Sequence, residues 1–77
     1  MKYERDLDIL IECHDDAIDK RNAIAVDIAE TYIRERSIPA EKIAQYRVAC
    51  LGVESTRVDV ENYMAIAATK EAHETAH

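Results

Sequence analysis

A short break near the middle of the chain constrains its fold more than any other feature. Ser37-Ile38-Pro39 divides the 77 residues into two long stretches with helical periodicity. Proline lacks an amide donor and fits the first turn of a helix, and a serine beside it can accept a hydrogen bond from an unpaired amide there. The sequence therefore predicts one helix that ends near Arg36 and a second that begins at Pro39.

The first stretch, from Tyr3 to Arg36, has the period of an amphipathic helix and contains no glycine or proline. Its apolar residues recur at intervals of three and four. They are Leu7, Leu10, Ile11, Ala17, Ile18, Ala25, Ile28, Ala29 and Tyr32. His14, Arg21 and Asn22 cross this stripe. We therefore expect polar layers, which commonly fix the register between packed helices.

The second stretch, from Pro39 to about Ala72, carries more apolar surface than one seam needs. One stripe consists of Ala44, Val48, Leu51, Val58, Ala65 and Ala72, and the stripe beside it of Ile43, Val53, Val60, Met64 and Ala67. A lone hairpin would leave part of this surface in water, so we expect a second hairpin to cover it. The predicted fold class is all-α: residues 1–77 form one antiparallel helical hairpin that assembles into a four-helix bundle.

Gly52 is the only glycine, and it leaves two readings of the second stretch open. Thr56 followed by Asp59 has the spacing of a capping box, which would start a new helix after Gly52. An unbroken or merely kinked helix would instead match the first helix in length. We favour this unbroken or merely kinked helix.

Composition and cysteine usage narrow the class of protein further. Twelve Ala, nine Ile and five Val against three Leu give a core of small and β-branched side chains, so a chain this short needs self-association, as a homodimer or higher.

Cys13 and Cys50 fit neither a disulfide framework nor a zinc site, and we interpret both as buried apolar residues. The apolar run Ile9-Leu10-Ile11 is too short for a signal peptide or a membrane span, so we expect a cytoplasmic protein.

Negative charge is concentrated at the start of the chain. Residues 1 to 19 contain seven acidic and two basic residues, which is −5 of the total charge of −6. In a helix, Glu4, Asp8, Glu12 and Asp16 form a ridge at four-residue spacing, with Asp19 close by. A solvated face is one interpretation, metal binding a second, and recognition of a basic protein surface a third. Such a ridge repels nucleic acid and membranes.

The last five residues, His73-Glu74-Thr75-Ala76-His77, resemble the H-E-x-x-H motif of the zincin metalloproteases. In that family two histidines on one helical face hold Zn²⁺ and the glutamate is the general base. No third ligand follows His77, so we expect no catalytic residue, no cofactor and no functional metal site. His73 and His77 are at most a weak metal-binding pair.

Residues 51–58, Leu-Gly-Val-Glu-Ser-Thr-Arg-Val, resemble the turn and the start of the recognition helix of helix-turn-helix DNA-binding proteins. The resemblance implies that Gly52 occupies the turn and that Val58 is buried beyond it. Asp59 and Glu61 would then face phosphates unfavourably.

The function best supported by these patterns is protein–protein interaction by a small acidic helical module. It would act as an adaptor or inhibitor, such as an accessory protein of a phage or plasmid, and not as an enzyme. Its expected partners are a second copy of itself and a basic protein surface bound by Glu4, Asp8, Glu12, Asp16 and Asp19. The alternative is a small helix-turn-helix DNA-binding regulator that uses residues 43–63.

Overall fold

The protein is a helical hairpin. The computed structural model describes residues 2–75, and the side-chain environments of residues 6–70. Helix α1 spans Lys2–Glu35 and helix α2 spans Ala40–Thr75, and the two helices pack against each other over their length. The molecule is a rod of 64 × 18 × 15 Å. The predicted antiparallel hairpin is therefore confirmed: both ends of α1 and the start of α2 lie within one residue of those expected, and α2 extends three residues beyond the predicted Ala72.

The loop between the helices is short and tightly hydrogen-bonded. Arg36 adopts a left-handed conformation with a φ of 58°, and its amide donates to the Tyr32 carbonyl at 2.7 Å. This arrangement is a common way to end a helix. The Pro39 carbonyl accepts from the amides of Lys42 at 3.0 Å and Ile43 at 3.3 Å, and so starts α2. Pro39 thus precedes the first turn of α2, which begins one residue later than predicted.

The two helices meet along a single seam with the three-and-four spacing of an antiparallel coiled coil. We call this row of residues, each of them half-buried or buried, the inner seam. On α1 it consists of Leu7, Leu10, His14, Ala17, Arg21, Ile24, Ile28 and Thr31, and on α2 of Lys42, Tyr46, Ala49, Val53, Thr56, Val60, Tyr63 and Ala67. Of the described residues, Thr31 and Ala49 alone are buried, with 1% and 6% of their surface exposed. The hairpin therefore shields its seam only in part.

Helix α2 runs through Gly52 without a break. The turn that the helix-turn-helix resemblance predicts is absent, and Val58 is exposed, so that structural prediction is wrong. Thr56 does not start a helix either, because its hydroxyl donates back to the Gly52 and Val53 carbonyls within the same helix. A glycine is tolerated inside a helix when neighbouring turns hold the backbone, and here the predicted unbroken helix is confirmed.

Several predicted core positions lie on the surface. On α1, Ile11, Ala29 and Tyr32 are exposed, and so is Cys13, which was expected to be buried. On α2, the five described residues of the first apolar stripe are exposed, whereas the second stripe supplies Val53, Val60 and Ala67 to the inner seam. The reason is that an isolated hairpin buries one stripe of each helix and leaves the rest in water. In residues 2–75, neither helix is long and apolar enough to cross a membrane.

Candidate interaction surfaces

A polar layer crosses the inner seam at His14. Its Nδ1 lies 2.9 Å from the Thr56 hydroxyl oxygen of α2. That hydroxyl also lies 2.9 Å from the Gly52 carbonyl and 3.0 Å from the Val53 carbonyl. A hydroxyl has one proton and carbonyls only accept, so the hydroxyl donates to the backbone and His14 Nδ1 donates to the hydroxyl. The expected polar layer at His14 is present, and it ties the two helices together.

A second polar layer lies near the loop and was not foreseen from the sequence. The Lys42 ammonium is 2.9 Å from the Thr31 hydroxyl oxygen and 2.9 Å from an Asp27 carboxylate oxygen. Thr31, only 1% exposed, donates its own proton to the Asp27 carbonyl at 2.8 Å. The Thr31 hydroxyl therefore both donates and accepts a hydrogen bond, as a buried hydroxyl requires. Spacing alone could have flagged Thr31 and Lys42, since both fall on the three-and-four pattern of the seam.

These two layers correct the expected pairing between the helices. Folding the chain about its midpoint predicts that Arg21 lies near Glu54 and His14 near Glu61. Instead, His14 pairs with Thr56, and Arg21 donates to its neighbour Asn22 at 3.2 Å. The register depends on which layers of the seam interlock and not on the midpoint of the loop.

Glu54 and Glu61 belong to an exposed charge cluster on α2. The guanidinium of Arg57 hydrogen-bonds to both carboxylates, one turn before and one turn after it. These hydrogen bonds raise the pKa of Arg57, and the bond to Arg57 lowers the pKa of Glu54. The cluster forms a charged ridge along one side of α2 between two apolar faces. Being exposed, it contributes little to stability.

The acidic ridge faces away from α2. Asp8, Glu12, Asp16 and Asp19 are all exposed on the outer side of α1, whereas the side chain of Glu4 lies outside the described residues. In residues 6–70, none of these four carboxylates forms an ion pair with a basic side chain. The ridge therefore presents uncompensated negative charge to solvent.

The outer side of α2, opposite the inner seam, is uncharged, in contrast to the acidic outer side of α1. Eight exposed residues follow the same three-and-four spacing and none carries a charge. We call this row the outer seam, and it consists of Ala44, Val48, Leu51, Ser55, Val58, Asn62, Ala65 and Thr69. Leu51 is 69% exposed and Val48 67%, which makes them prominent apolar side chains on the surface. Helix α2 thus has two apolar faces, and α1 covers one.

A shallow groove runs between the helices beside the outer seam. It encloses about 520 Å³ and is lined by Lys20, Ile24 and Ala49 together with Glu41, Gln45 and Val48. Lys20 and Glu41 carry opposite charges at its rim, and its mouth is open. The groove therefore lacks the converging polar groups that hold a small molecule. Within residues 6–70 no three His, Cys, Asp or Glu side chains are placed to share a metal ion, and the side chains of His73 and His77 lie outside the described residues.

Comparison with known proteins identifies no relative. No protein-family model, no curated protein and no solved structure matches this chain. Its function must therefore be argued from its own surfaces.

Proposed function

We propose that the protein is a helical protein–protein interaction module, in which the hairpin is one half of a four-helix assembly and the acidic ridge binds a basic partner. It acts as an adaptor or inhibitor, by binding and not by catalysis. The observation that carries this proposal is the amount of apolar surface left uncovered by the hairpin. The free thiols of Cys13 and Cys50 fit a reducing compartment such as the cytoplasm.

The surface area of the chain supports an assembly. A compact monomer of 8.8 kDa has an accessible surface of about 4,800 Å² by the usual scaling with mass. The hairpin exposes 6142 Å², roughly 1,300 Å² more. Stable interfaces remove about 800 Å² from each partner, so the excess is large enough to supply one.

The kind of surface matters as much as its area. Eleven large apolar side chains are exposed in the described part of the chain: Ile9, Ile11, Val26, Tyr32, Ile33, Ile43, Val48, Leu51, Val58, Met64 and Ile66. Single exposed apolar residues are normal, but three of these, Val48, Leu51 and Val58, lie together on the uncharged row of the outer seam, and a grouped apolar surface marks an interaction site. Covering such a row stabilises an assembly by the hydrophobic effect.

The acidic ridge supplies the contact for a different partner. Its position on the outer side of α1 keeps it accessible when the apolar faces of α2 are covered. Unpaired carboxylates along about three turns of helix attract Lys- and Arg-rich surfaces and speed their association. A basic protein surface is thus the partner that this ridge fits.

Sedimentation velocity and equilibrium test the assembly. At micromolar concentration we expect at least twice the chain mass of 8.8 kDa, with a sedimentation coefficient that falls on dilution. A species of single chain mass at every concentration up to the millimolar range would refute the four-helix assembly.

Titration with a Lys/Arg-rich peptide tests the ridge. The double variant Glu12→Gln/Asp16→Asn should weaken binding, and the weakening should shrink at high salt. The matched control, Glu30→Gln/Glu35→Gln, removes the same charge from the other end of α1. Equal weakening by both double variants would show a nonspecific charge effect and contradict a role for the ridge.

A further inference from the structure

We infer that the outer seam of α2 is the surface through which a second copy of this chain binds, with the two α2 helices antiparallel and the two α1 helices outermost. This inference rests on the proposed four-helix assembly and specifies its interface. It predicts which face is buried and in which direction the second hairpin runs.

The first argument is the contrast between the two helices. Helix α1 has one face on the inner seam and acidic residues on its outer side, and the five large apolar residues that its described part exposes do not form one uncharged row. Helix α2 is apolar on opposite sides, and such a helix belongs in the interior of a larger structure. The eight residues of the outer seam extend over 25 positions, about 38 Å of helix, without a charge. A helix can pack along all of this row without burying an ion.

The second argument excludes, as the main contact, the exposed apolar residues on the flank of α2. The side of α2 that adjoins α1 exposes Ile43 and Met64, but Arg57 lies between them and is bound to Glu54 and Glu61. Covering that side would take a hydrogen-bonded charge cluster out of water, which is unfavourable. The outer seam carries no such penalty.

The occupant that fits is the same seam of a second copy. When two antiparallel copies are aligned so that Ser55 packs against Val58 of the other copy, the remaining rows also match. Val48 then packs against Ala65, and Leu51 against Asn62, each time a larger side chain against a smaller or shorter one. No layer contains a charge or two large residues. The Thr69 hydroxyl donates to the Ala65 carbonyl at 2.8 Å, so its donor stays satisfied when covered.

Electrostatics selects the antiparallel direction. The beginning of α1 and the end of α2 lie at the same end of the rod, and seven of the first 19 residues are acidic. Parallel packing would place two such ends side by side. Antiparallel packing separates them by most of the 64 Å length, far beyond the screening distance of about 8 Å.

Three charge-insertion variants test whether the outer seam is the dimer interface. Leu51→Glu places a carboxylate in the outer seam, and Val26→Glu places one on the outer side of α1. Met64→Glu places one on the flank of α2 that adjoins α1. Val26 and Met64 are 56% and 49% exposed, so all three changes leave the hairpin fold largely unstrained. We expect Leu51→Glu to raise the dimer dissociation constant about 30-fold or more, as for a central interface residue, while the other two stay within a few-fold of wild type. Circular dichroism at high concentration checks that each variant remains helical.

Crosslinking tests the direction, in a Cys13→Ser/Cys50→Ala background. With a short bismaleimide, Ser55→Cys should give a covalent dimer because Ser55 lies next to its own counterpart near the two-fold axis. Ala44→Cys should not, because Ala44 faces Thr69 and its own counterpart is about 25 positions, roughly 37 Å, away. Crosslinking at both positions would mean a parallel dimer and overturn the antiparallel assignment.

The outcomes separate this inference from the proposal on which it rests. A wild-type dimer that survives Leu51→Glu but is lost with Met64→Glu overturns the outer seam and leaves the four-helix assembly standing. A wild-type monomer overturns both. A dimer that dissociates only with Leu51→Glu supports the outer seam, even if that variant also loses some helicity, provided that Ser55→Cys crosslinks and Ala44→Cys does not.

Discussion

Replacing Gly52 with alanine should stabilise the protein. Gly52 lies in the middle of α2 and does not have a positive φ, and a Cβ at this position would have no atom within 4 Å beyond its neighbours and the backbone of its own helical turns. The substitution therefore adds a methyl group without a clash and removes backbone freedom from the unfolded chain. Alanine is favoured over glycine in a helix interior by about 0.8–1.0 kcal/mol, and the open space lets the full amount appear.

Thermal and urea unfolding followed by far-UV circular dichroism measure this change. For a domain of this size about 1 kcal/mol raises the melting temperature by roughly 4–8 °C. Wild type and variant must be compared at equal protein concentration, because an assembling chain has a concentration-dependent melting temperature.

The matched control is Ala23→Gly, at an exposed site in the middle of α1. It should lose about the same free energy of unfolding, and the double variant should return close to wild type because no side chain beyond its chain neighbours lies within 4 Å of a Cβ at position 52, so the two sites share no contact. If Gly52→Ala instead lowered the melting temperature, the space beside Gly52 would have to be filled in solution. That result would refute the open space beside Gly52, and would mean either a bend in α2 or another backbone packed closely against it.

Three further changes probe the inner seam, the charged ridge and the thiols. Thr56→Val keeps the side-chain shape but removes the hydroxyl that accepts a hydrogen bond from His14. Urea melts should therefore show a loss of about 1 kcal/mol in the free energy of unfolding, and Thr56→Ser should lose less. If Thr56→Val loses nothing, this polar layer does not hold the helices together. The pKa of Glu54 is lowered in the fold, so its contribution is present above its unfolded pKa of about 4.3 and disappears as the pH falls through the lower folded value. Because the pair is exposed, this contribution is small, so an NMR titration is the sharper measurement: Arg57→Gln should raise the pKa of Glu54 toward its ordinary value, and an unchanged Glu54 pKa would contradict the pairing. Cys13 is exposed and Cys50 half-buried, so a thiol reagent should label Cys13 faster, and non-reducing mass spectrometry should find no bond between them within a chain.

The central break and the two long periodic stretches were enough to predict the hairpin. A helix that comes before Pro39 cannot run on through it. The apolar residues on either side of the break recur at intervals of three and four over many turns. These signals depend on residues that lie within a few positions of one another, so they can be recognised in the sequence. The continuity of α2 at Gly52 was harder, because a glycine costs a helix only about 1 kcal/mol and the neighbouring turns decide whether that is tolerated.

The candidate site was predicted only in part. Asp8, Glu12, Asp16 and Asp19 lie exposed on one side of α1 as their spacing indicates. Their binding to a basic surface remains a proposal. The outer seam was visible in the sequence as an apolar stripe, but not as a surface. Without the helix pairing, nothing distinguishes the stripe that α1 covers from the stripe that it leaves exposed.

The sequence by itself determined the helices, the position of the loop and the acidic end of the rod, since each follows from local propensity and charge. Only the tertiary structure decided the register and the assignment of faces. His14 pairs with Thr56 and not with Glu61, and Lys42 reaches Thr31 and Asp27, because side chains from both helices must interlock and satisfy one another at the same time. That choice is cooperative and depends on residues more than ten positions apart. It also turned the outer side of α2 into an uncharged row that no part of the described hairpin covers.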